Sequence, residues 1–405
     1  MSLIRDIKPG VQWIGAIDWD RRLFDALIPL PFGTSYNSYL IKGKEKTALI
    51  DAVDDTMLMV LLSNLEAAGV KKLDYIIAQH AEQDHSGSLK KLAEVYPDAR
   101  IMATGKCRDL IVSFGLVPEN RVTEVKDGEK ISLGDKTLEF IIAPWVHWPD
   151  TMFTYLSEDS VLFTCDFLGS HLATTDLYAI DEGRVYETAK RYYAEIMMPF
   201  RQHIRKHLER IKDLKIDVIA PSHGPLHNKP EFILSAYRDW ASDDVKNQVV
   251  LPYVSMHGST KAMVGQLVDS LAARGVEVKQ FDLTRTDVGE LAEALVDCAT
   301  IVIGSPTILS GAHPLALYAA ILANALRPKV RFATIIGSYG WGGKMVEQIT
   351  AAIPNLKVEV IEPVIIKGHP MDADFQALDK LAEAISSKHK AQGITKEDVS
   401  SLQVH

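Results

Sequence analysis

The sequence predicts an α/β protein of two domains, a mixed α/β first half over residues 1–246 and a doubly wound parallel sheet over residues 247–405. Three observations carry this. The 405 residues are enough for two ordinary cores. In the first half, apolar runs of strand length follow one another directly, with hairpin-like breaks between them. After the polar stretch SDDVKN, strands and helices alternate strictly, which places the boundary near Asp244 to Asn247.

In order along the first half, SYNSYLIKG, KTALIDA and LDYIIAQH are rich in β-branched and aromatic residues and read as strands. EKISLGDKTLEFIIAP and TMFTYLSEDSVLFTCDF read as hairpins that turn at Gly-Asp and at Glu-Asp-Ser. Helices are expected at Met57 to Gly69, Gly87 to Val95, over a longer region from Tyr186 to Leu214, and at Pro230 to Trp240. In the second half the expected order is strand NQVVLPYVS, helix Lys261 to Arg274, strand VEVKQFDL, a helix from Val288, and strand TIVIGSP. A helix from Pro314, strand RFATIIGS, a helix from Gly343, strand KVEVIEPVIIKG and a last helix near Phe375 to Lys388 complete it. The final KEDVSSLQVH reads as a polar tail.

Composition narrows the function classes. Lys and Arg total 44 against 53 Asp and Glu, a net charge of -9 with no basic block, so no nucleic-acid partner is expected. The apolar stretch around Leu315 to Leu326 is bracketed by Pro314 and Pro328. It falls short of the roughly 18 to 20 residues that cross a bilayer, and no membrane partner is expected. MSLIRDIKPGVQWIG lacks the apolar core of a secretory leader, and Cys107, Cys165 and Cys298 are scattered. Both features predict a cytoplasmic chain without a disulfide framework. Three thiols are also too few for a rubredoxin-type iron site, which needs four.

The strand LDYIIAQH runs into His80, Glu82, Asp84 and His85, a dense group of metal-ligand residues where a loop begins. His147 in APWVHWPD, Asp166 in LFTCDFLGS and His223 in IAPSHGP sit at further strand ends. Imidazoles and carboxylates without a thiolate favour iron, zinc or manganese. His227 is a competing ligand four residues after His223, ranked lower, and His171 is either an outer residue of the site or a solvated loop histidine.

These residues resemble the metallo-β-lactamase-like fold, an αβ/βα sandwich whose signature is H-x-H-x-D-H followed by His, Asp and His. Glu82 stands where the hydrolases have the second His, and that replacement is the mark of the flavodiiron proteins. A harder, anionic oxygen moves preference from zinc toward iron. The resemblance implies that His80, Glu82 and His147 hold one iron, that Asp84, His85 and His223 hold the other, and that Asp166 bridges. In some relatives water takes the place of His85.

In the second half, Ser255-Met256-His257-Gly258-Ser259-Thr260 leads from the first strand into a helix. Its hydroxyls and backbone N–H groups suit a phosphate, although simple helix capping also explains such a turn. Its register with two further loops favours a ligand. These are Ser305-Pro306-Thr307-Ile308-Leu309-Ser310-Gly311 and Ser338-Tyr339-Gly340-Trp341-Gly342-Gly343, at the carboxyl ends of neighbouring strands. They resemble the flavodoxin loops that flank the flavin ring, with Tyr339 and Trp341 offering aromatic surface. No GxGxxG follows a strand, which argues against NAD.

The flavodiiron resemblance spans both domains and implies FMN, two non-haem irons, and four-electron reduction of dioxygen to water or coupling of nitric oxide. It also implies a head-to-tail homodimer or a dimer of dimers. The overall sequence is similar to the methanogen enzymes that oxidise reduced coenzyme F420, which implies that donor, with rubredoxin as the alternative. The rival classes are a binuclear zinc hydrolase and an electron carrier with a vestigial metal site. Glu82 and the three loops oppose the first, and the full set of candidate ligands opposes the second.

Overall fold

A computed structural model describes residues 3–395, and KEDVSSLQVH lies outside the described residues. The chain divides at Ala241/Ser242 into two units. That is slightly ahead of the 246/247 boundary expected, because the segment before the strand Lys246–Tyr253 belongs with the second unit: the Arg331 guanidinium donates to Asp243 O at 2.8 Å.

In the first unit a seven-stranded sheet runs in the order Arg5–Lys8, Val11–Trp13, Tyr39–Lys42, Thr47–Ile50, Tyr75–Ile77, Arg100–Ala103, Val122–Glu124. A five-stranded sheet runs Lys130–Ser132, Thr137–Ile142, Met152–Leu156, Val161–Cys165, Val218–Pro221. Side-chain alternation decides the layering. Tyr39, Ile41, Ile50, Ile77 and Met102 pack against Phe140, Met152, Phe163 and Ala220 of the second sheet. Their sequence neighbours Leu40, Leu49, Ile76 and Ile101 point the other way, onto helices Leu58–Ala67, Leu89–Val95 and Gly105–Ser113. This is the sandwich expected of the metallo-β-lactamase-like fold, with helices outside paired sheets.

Three expectations about elements give way to tertiary contacts. SYNSYLIKG is two strands: Thr34–Tyr36 pairs with Ala16–Asp18, and only Tyr39–Lys42 joins the large sheet. The chain bends between them because Asn37 N donates to Ser222 O at 2.8 Å while Asn37 Nδ2 donates to Pro221 O at 2.7 Å and Gly224 O at 2.8 Å. The long helical region is broken into Glu182–Tyr192 and Arg201–Ile211 by a wide turn at Tyr193–Met197 and a tight one at Met198–Phe200. Pro199, which has no N–H to give, lies at that break. KVEVIEPVIIKG divides around Pro363 into Glu359–Val360 and Val364–Lys367 for the same reason. The strands Arg5–Lys8 and Val11–Trp13 and the helix Gly105–Ser113 were not anticipated.

The second unit is a parallel sheet in the order Glu277–Asp282, Lys246–Tyr253, Cys298–Ile308, Phe332–Tyr339, with Glu359–Val360 and Val364–Lys367 both paired to Phe332–Tyr339. The first strand in sequence therefore sits inside the sheet. Its neighbours on the two sides are the second and third strands, the flavodoxin-like order with its switch point beside the first strand. Among the described residues no helix is long and apolar enough to cross a membrane.

Candidate metal centre and flavin loops

All seven candidate ligands converge at one end of the sandwich. His80 and Glu82 leave the strand Tyr75–Ile77, and the single turn Gln83–Ser86 carries Asp84 and His85. Asp166 follows the strand Val161–Cys165 directly, and His223 follows Val218–Pro221. His147 comes from the loop after Thr137–Ile142. Ligand atoms within 4.8 Å of one another form one group of His80, Glu82, His147 and Asp166 and another of Asp84, His85 and His223, and His85, Cys165 and Asp166 are also that close.

Asp166 reaches both groups. Its Oδ2 lies 3.6 Å from His80 Nε2 and 3.7 Å from His147 Nε2, while its Oδ1 lies 2.9 Å from His85 Nε2 and 3.4 Å from His223 Nε2. Glu82 Oε2 is 3.2 Å from His80 Nε2 and 3.0 Å from His147 Nε2. Asp84 Oδ2 is 3.0 Å from His223 Nε2.

The other ring nitrogens are held from outside. His80 Nδ1 is 3.1 Å from both oxygens of buried Asp150, whose Oδ2 also accepts from Ala81 N at 2.8 Å. His223 Nδ1 donates to Ser35 O at 2.7 Å, and the Tyr192 hydroxyl donates to Asp166 Oδ1 at 3.0 Å. Such outer partners fix ring orientation and leave Nε2 facing inward. Asp150, Tyr192 and Ser35 were not foreseen, although Asp150 stands three residues after His147 in HWPD.

Electrostatics follow from this packing of opposite charges without solvent. Burial alone would lower the His223 imidazole, but Asp166 and Asp84 raise it to about 10. Asp150, Glu82 and Asp166 likewise overcome burial at His80 and hold it well above its ordinary value. Burial would raise Asp166, yet His85, His223 and His80 bring it well below the usual carboxylate range.

The geometry fits a pair of cations. Asp84 Oδ1, Asp84 Oδ2 and His85 Nε2 are buried without a properly directed hydrogen bond, although imidazoles and carboxylates stand around them. Buried polar atoms left in this state are rare, and a cation held among them would satisfy all three. Nitrogen and carboxylate oxygen donors, with no thiolate required, suit iron.

His171 is buried, not solvated: Nδ1 is 2.9 Å from Thr34 Oγ1, and the ring packs 4.9 Å from His223 and 4.8 Å from Tyr192. Burial and the neighbouring His223 push it well below its ordinary value, so it is neutral. His227 is turned away, its Nε2 donating to Leu168 O at 3.1 Å, and burial lowers it to about 4.

In the second unit the three expected loops emerge at the carboxyl edge of adjacent parallel strands. Gly258 caps the helix Ser259–Ala272 with φ 89°, and a side chain there would meet no atom within 4 Å. Ser255 Oγ accepts from Lys261 N at 3.1 Å, and the buried Thr260 hydroxyl lies 3.5 Å from Ser338 Oγ. Met256, His257 and Ser259 complete that loop, with Met256 and His257 exposed. Ser305 is buried and engaged locally, donating to Pro306 O at 2.8 Å and accepting from His313 N at 3.0 Å, so its role is to shape the loop. Thr307 and Ile308 pair with Gly311 and Ala312, and Gly311 lies close under Gln348, whose Oε1 would stand 2.5 Å from an added Cβ.

The loop tips expose unusual apolar surface: Leu309 is 94 % exposed, Trp341 86 % and Met256 44 %. Tyr339 is partly buried beside them, and Gly340, Gly342 and Gly343 keep the backbone thin. Three apolar tips around one sheet edge fit a planar aromatic ligand that would cover them.

Clustered imidazole and carboxylate side chains on a lactamase-like sandwich, in one chain with a flavodoxin-like unit, point to a class of protein that pairs a metal site with a flavin. Family comparisons agree: residues 34–224 match the ODP family beta lactamase model and residues 251–387 the flavodoxin model. The chain is 36% identical to the nitric oxide reductase of Moorella thermoacetica, over 94% of this chain and 98% of that one. It is 33% identical to the coenzyme F420H(2) oxidase of Methanothermobacter marburgensis, with the same shares covered. The solved rubredoxin oxygen:oxidoreductase of Desulfovibrio gigas superposes with a TM-score of 0.92 at 29% identity, covering 96% of this chain and 99% of that one. The chain belongs to the flavodiiron protein family, whose members are oxidoreductases.

Proposed function

We propose that this protein reduces dioxygen to water at the centre around Asp166, with electrons relayed through FMN from reduced coenzyme F420. The observation that carries the reading is the donor set, in which Asp166 serves both groups and Glu82 adds an anionic oxygen. Bound there, two irons would supply one-electron chemistry on a diatomic substrate, and FMN would divide an electron pair from the donor into single electrons.

The residues of the chain have distinct tasks. His80, Glu82 and His147 hold one metal position, Asp84, His85 and His223 the other, and Asp166 joins them. Asp150 and Ser35 O keep His80 and His223 in rotation. His171 closes the wall behind His223 with a neutral ring. Burial of every ligand keeps bulk water out, which strengthens each charge interaction. In the second unit the loop Ser255–Thr260 binds the FMN phosphate, and residues 305–311 and 338–343 enclose the ring.

The similarity to the F420H(2) oxidase supports the donor. Rubredoxin is the alternative, after the Desulfovibrio gigas relative. A second reading, reduction of nitric oxide, is favoured by the 36% identity to the Moorella enzyme. The working unit is a head-to-tail homodimer in the cytoplasm, where the buried free thiols of Cys107, Cys165 and Cys298 stay reduced.

The test is anaerobic. Iron and FMN are quantified per chain, reduced F420 is added, and its oxidation is followed before and after dioxygen or nitric oxide is admitted. Two irons, one FMN and oxidation that waits for dioxygen are expected. Turnover only with nitric oxide selects the second reading, turnover only with reduced rubredoxin moves the donor, and zinc without flavin returns the protein to the hydrolases.

A further inference from the structure

We infer that His369 completes the flavin phosphate site, supplying from the turn before the last helix an imidazole hydrogen-bond donor beside Ser259. The inference rests on the flavin reading above and deepens it.

Topology brings this turn to the loop. Helices Ser259–Ala272 and Asp372–Ala391 each follow a parallel strand and pack together, with Met263, Val264, Leu267 and Leu271 in one core with Leu378, Leu381, Ala382 and Ile385. Both helices therefore begin at the same sheet edge. His369 Nδ1 lies 3.5 Å from Ser259 Oγ. One residue earlier, Gly368 takes φ 78°, a left-handed conformation that suits glycine, and its N–H donates to Tyr339 O at 2.8 Å. The turn thus ties the phosphate loop to the aromatic loop, 110 residues of sequence separating Ser259 from His369.

The chemistry of the loop leaves a place for it. Ser255 Oγ is occupied by Lys261 N, and the Thr260 hydroxyl is buried against Ser338. Ser259 presents its hydroxyl beside His369, next to the open space at Gly258. A phosphate dianion there is met by backbone N–H groups, by the Ser259 hydroxyl and by the His369 imidazole. A charge-assisted hydrogen bond of that kind is stronger than a neutral one. It acts on the phosphate alone, so the residue's signature is discrimination between FMN and riboflavin.

The experiment titrates the flavin-free full-length protein with FMN and with riboflavin, following flavin fluorescence, for the wild type, His369→Ala and His369→Lys. His369→Ala is expected to weaken FMN binding about tenfold and leave riboflavin unchanged, with His369→Lys restoring most of the loss. Unchanged FMN affinity in His369→Ala overturns the assignment, and so does an equal loss for both flavins, which would mark a structural residue. A wild-type chain that binds neither flavin overturns the flavin reading itself, a different result from either of these.

Discussion

Asp150 grips His80 from behind: both carboxylate oxygens lie 3.1 Å from His80 Nδ1, and neither side chain is accessible to solvent. The pair leaves His80 one available nitrogen and one ring orientation.

Asp150→Asn should keep the fold, since the amide can still accept from His80 or Ala81, while weakening metal binding by about 10- to 100-fold. Competition with a chelator, monitored through metal content, reads this directly. An Asp150→Asn protein with wild-type affinity would remove the carboxylate from any role at the centre.

Asp166 and Glu82 should separate by stoichiometry. Asp166 faces both groups, so Asp166→Ala should cost both ions and dioxygen reduction, whereas Glu82→Ala should cost chiefly the ion held with His80 and His147. FMN should stay bound in both. Full activity in an iron-free Asp166→Ala protein would overturn the mechanism.

Metal uptake should release protons. In the metal-free chain His223 is raised to about 10 and His80 well above its ordinary value, so both carry protons at neutral pH that a metal must displace. Apparent affinity should accordingly rise with pH through the neutral range. Calorimetric titration in buffers of different ionisation enthalpy gives the proton count, and a binding heat independent of buffer would contradict the charge state assigned here.

In the second unit His389 bonds Thr300 Oγ1 and Asn247 Oδ1, each at 2.7 Å, and burial lowers it to about 4. The folded state keeps it neutral, while the unfolded chain takes up a proton below about 6.5. Its contribution is therefore full above that value and is lost as pH falls toward 4. His227 acts with the same sign in the first unit. Urea unfolding at pH 5 and pH 8 should show a smaller pH effect in His389→Gln than in the wild type, and equal pH effects would refute the linkage.

Much of this was legible in the chain itself. The cluster from His80 to His85 and the strand-end positions of Asp166 and His223 follow from local pattern, because a strand and the loop after it are written contiguously, whereas His147 lies within a loop five residues beyond its strand. The order of the second half was readable for the same reason: strict alternation of strand and helix leaves few topologies. Less was legible where a residue's environment is made by distant chain. His171 reads equally well as a loop residue or a site residue until Thr34, Tyr192 and His223 are placed around it. The helical pattern from Tyr186 to Leu214 did not reveal its irregular turns at Tyr193–Met197 and Met198–Phe200.

The sequence by itself determined the residue types gathered in the candidate centre and the two-part architecture, since these depend on periodicity and residue chemistry over short spans. Only the tertiary structure decided that the two oxygens of Asp166 face different groups, that Asp150 and Ser35 O hold the rings, and that His369 meets Ser259. Those relationships join residues 70 to 188 positions apart in the case of Asp150 with His80 and Ser35 with His223, and 110 apart for His369 with Ser259. No local propensity encodes such distances; they follow from how the sheets stack and how the last helix returns beside the first helix of the second unit.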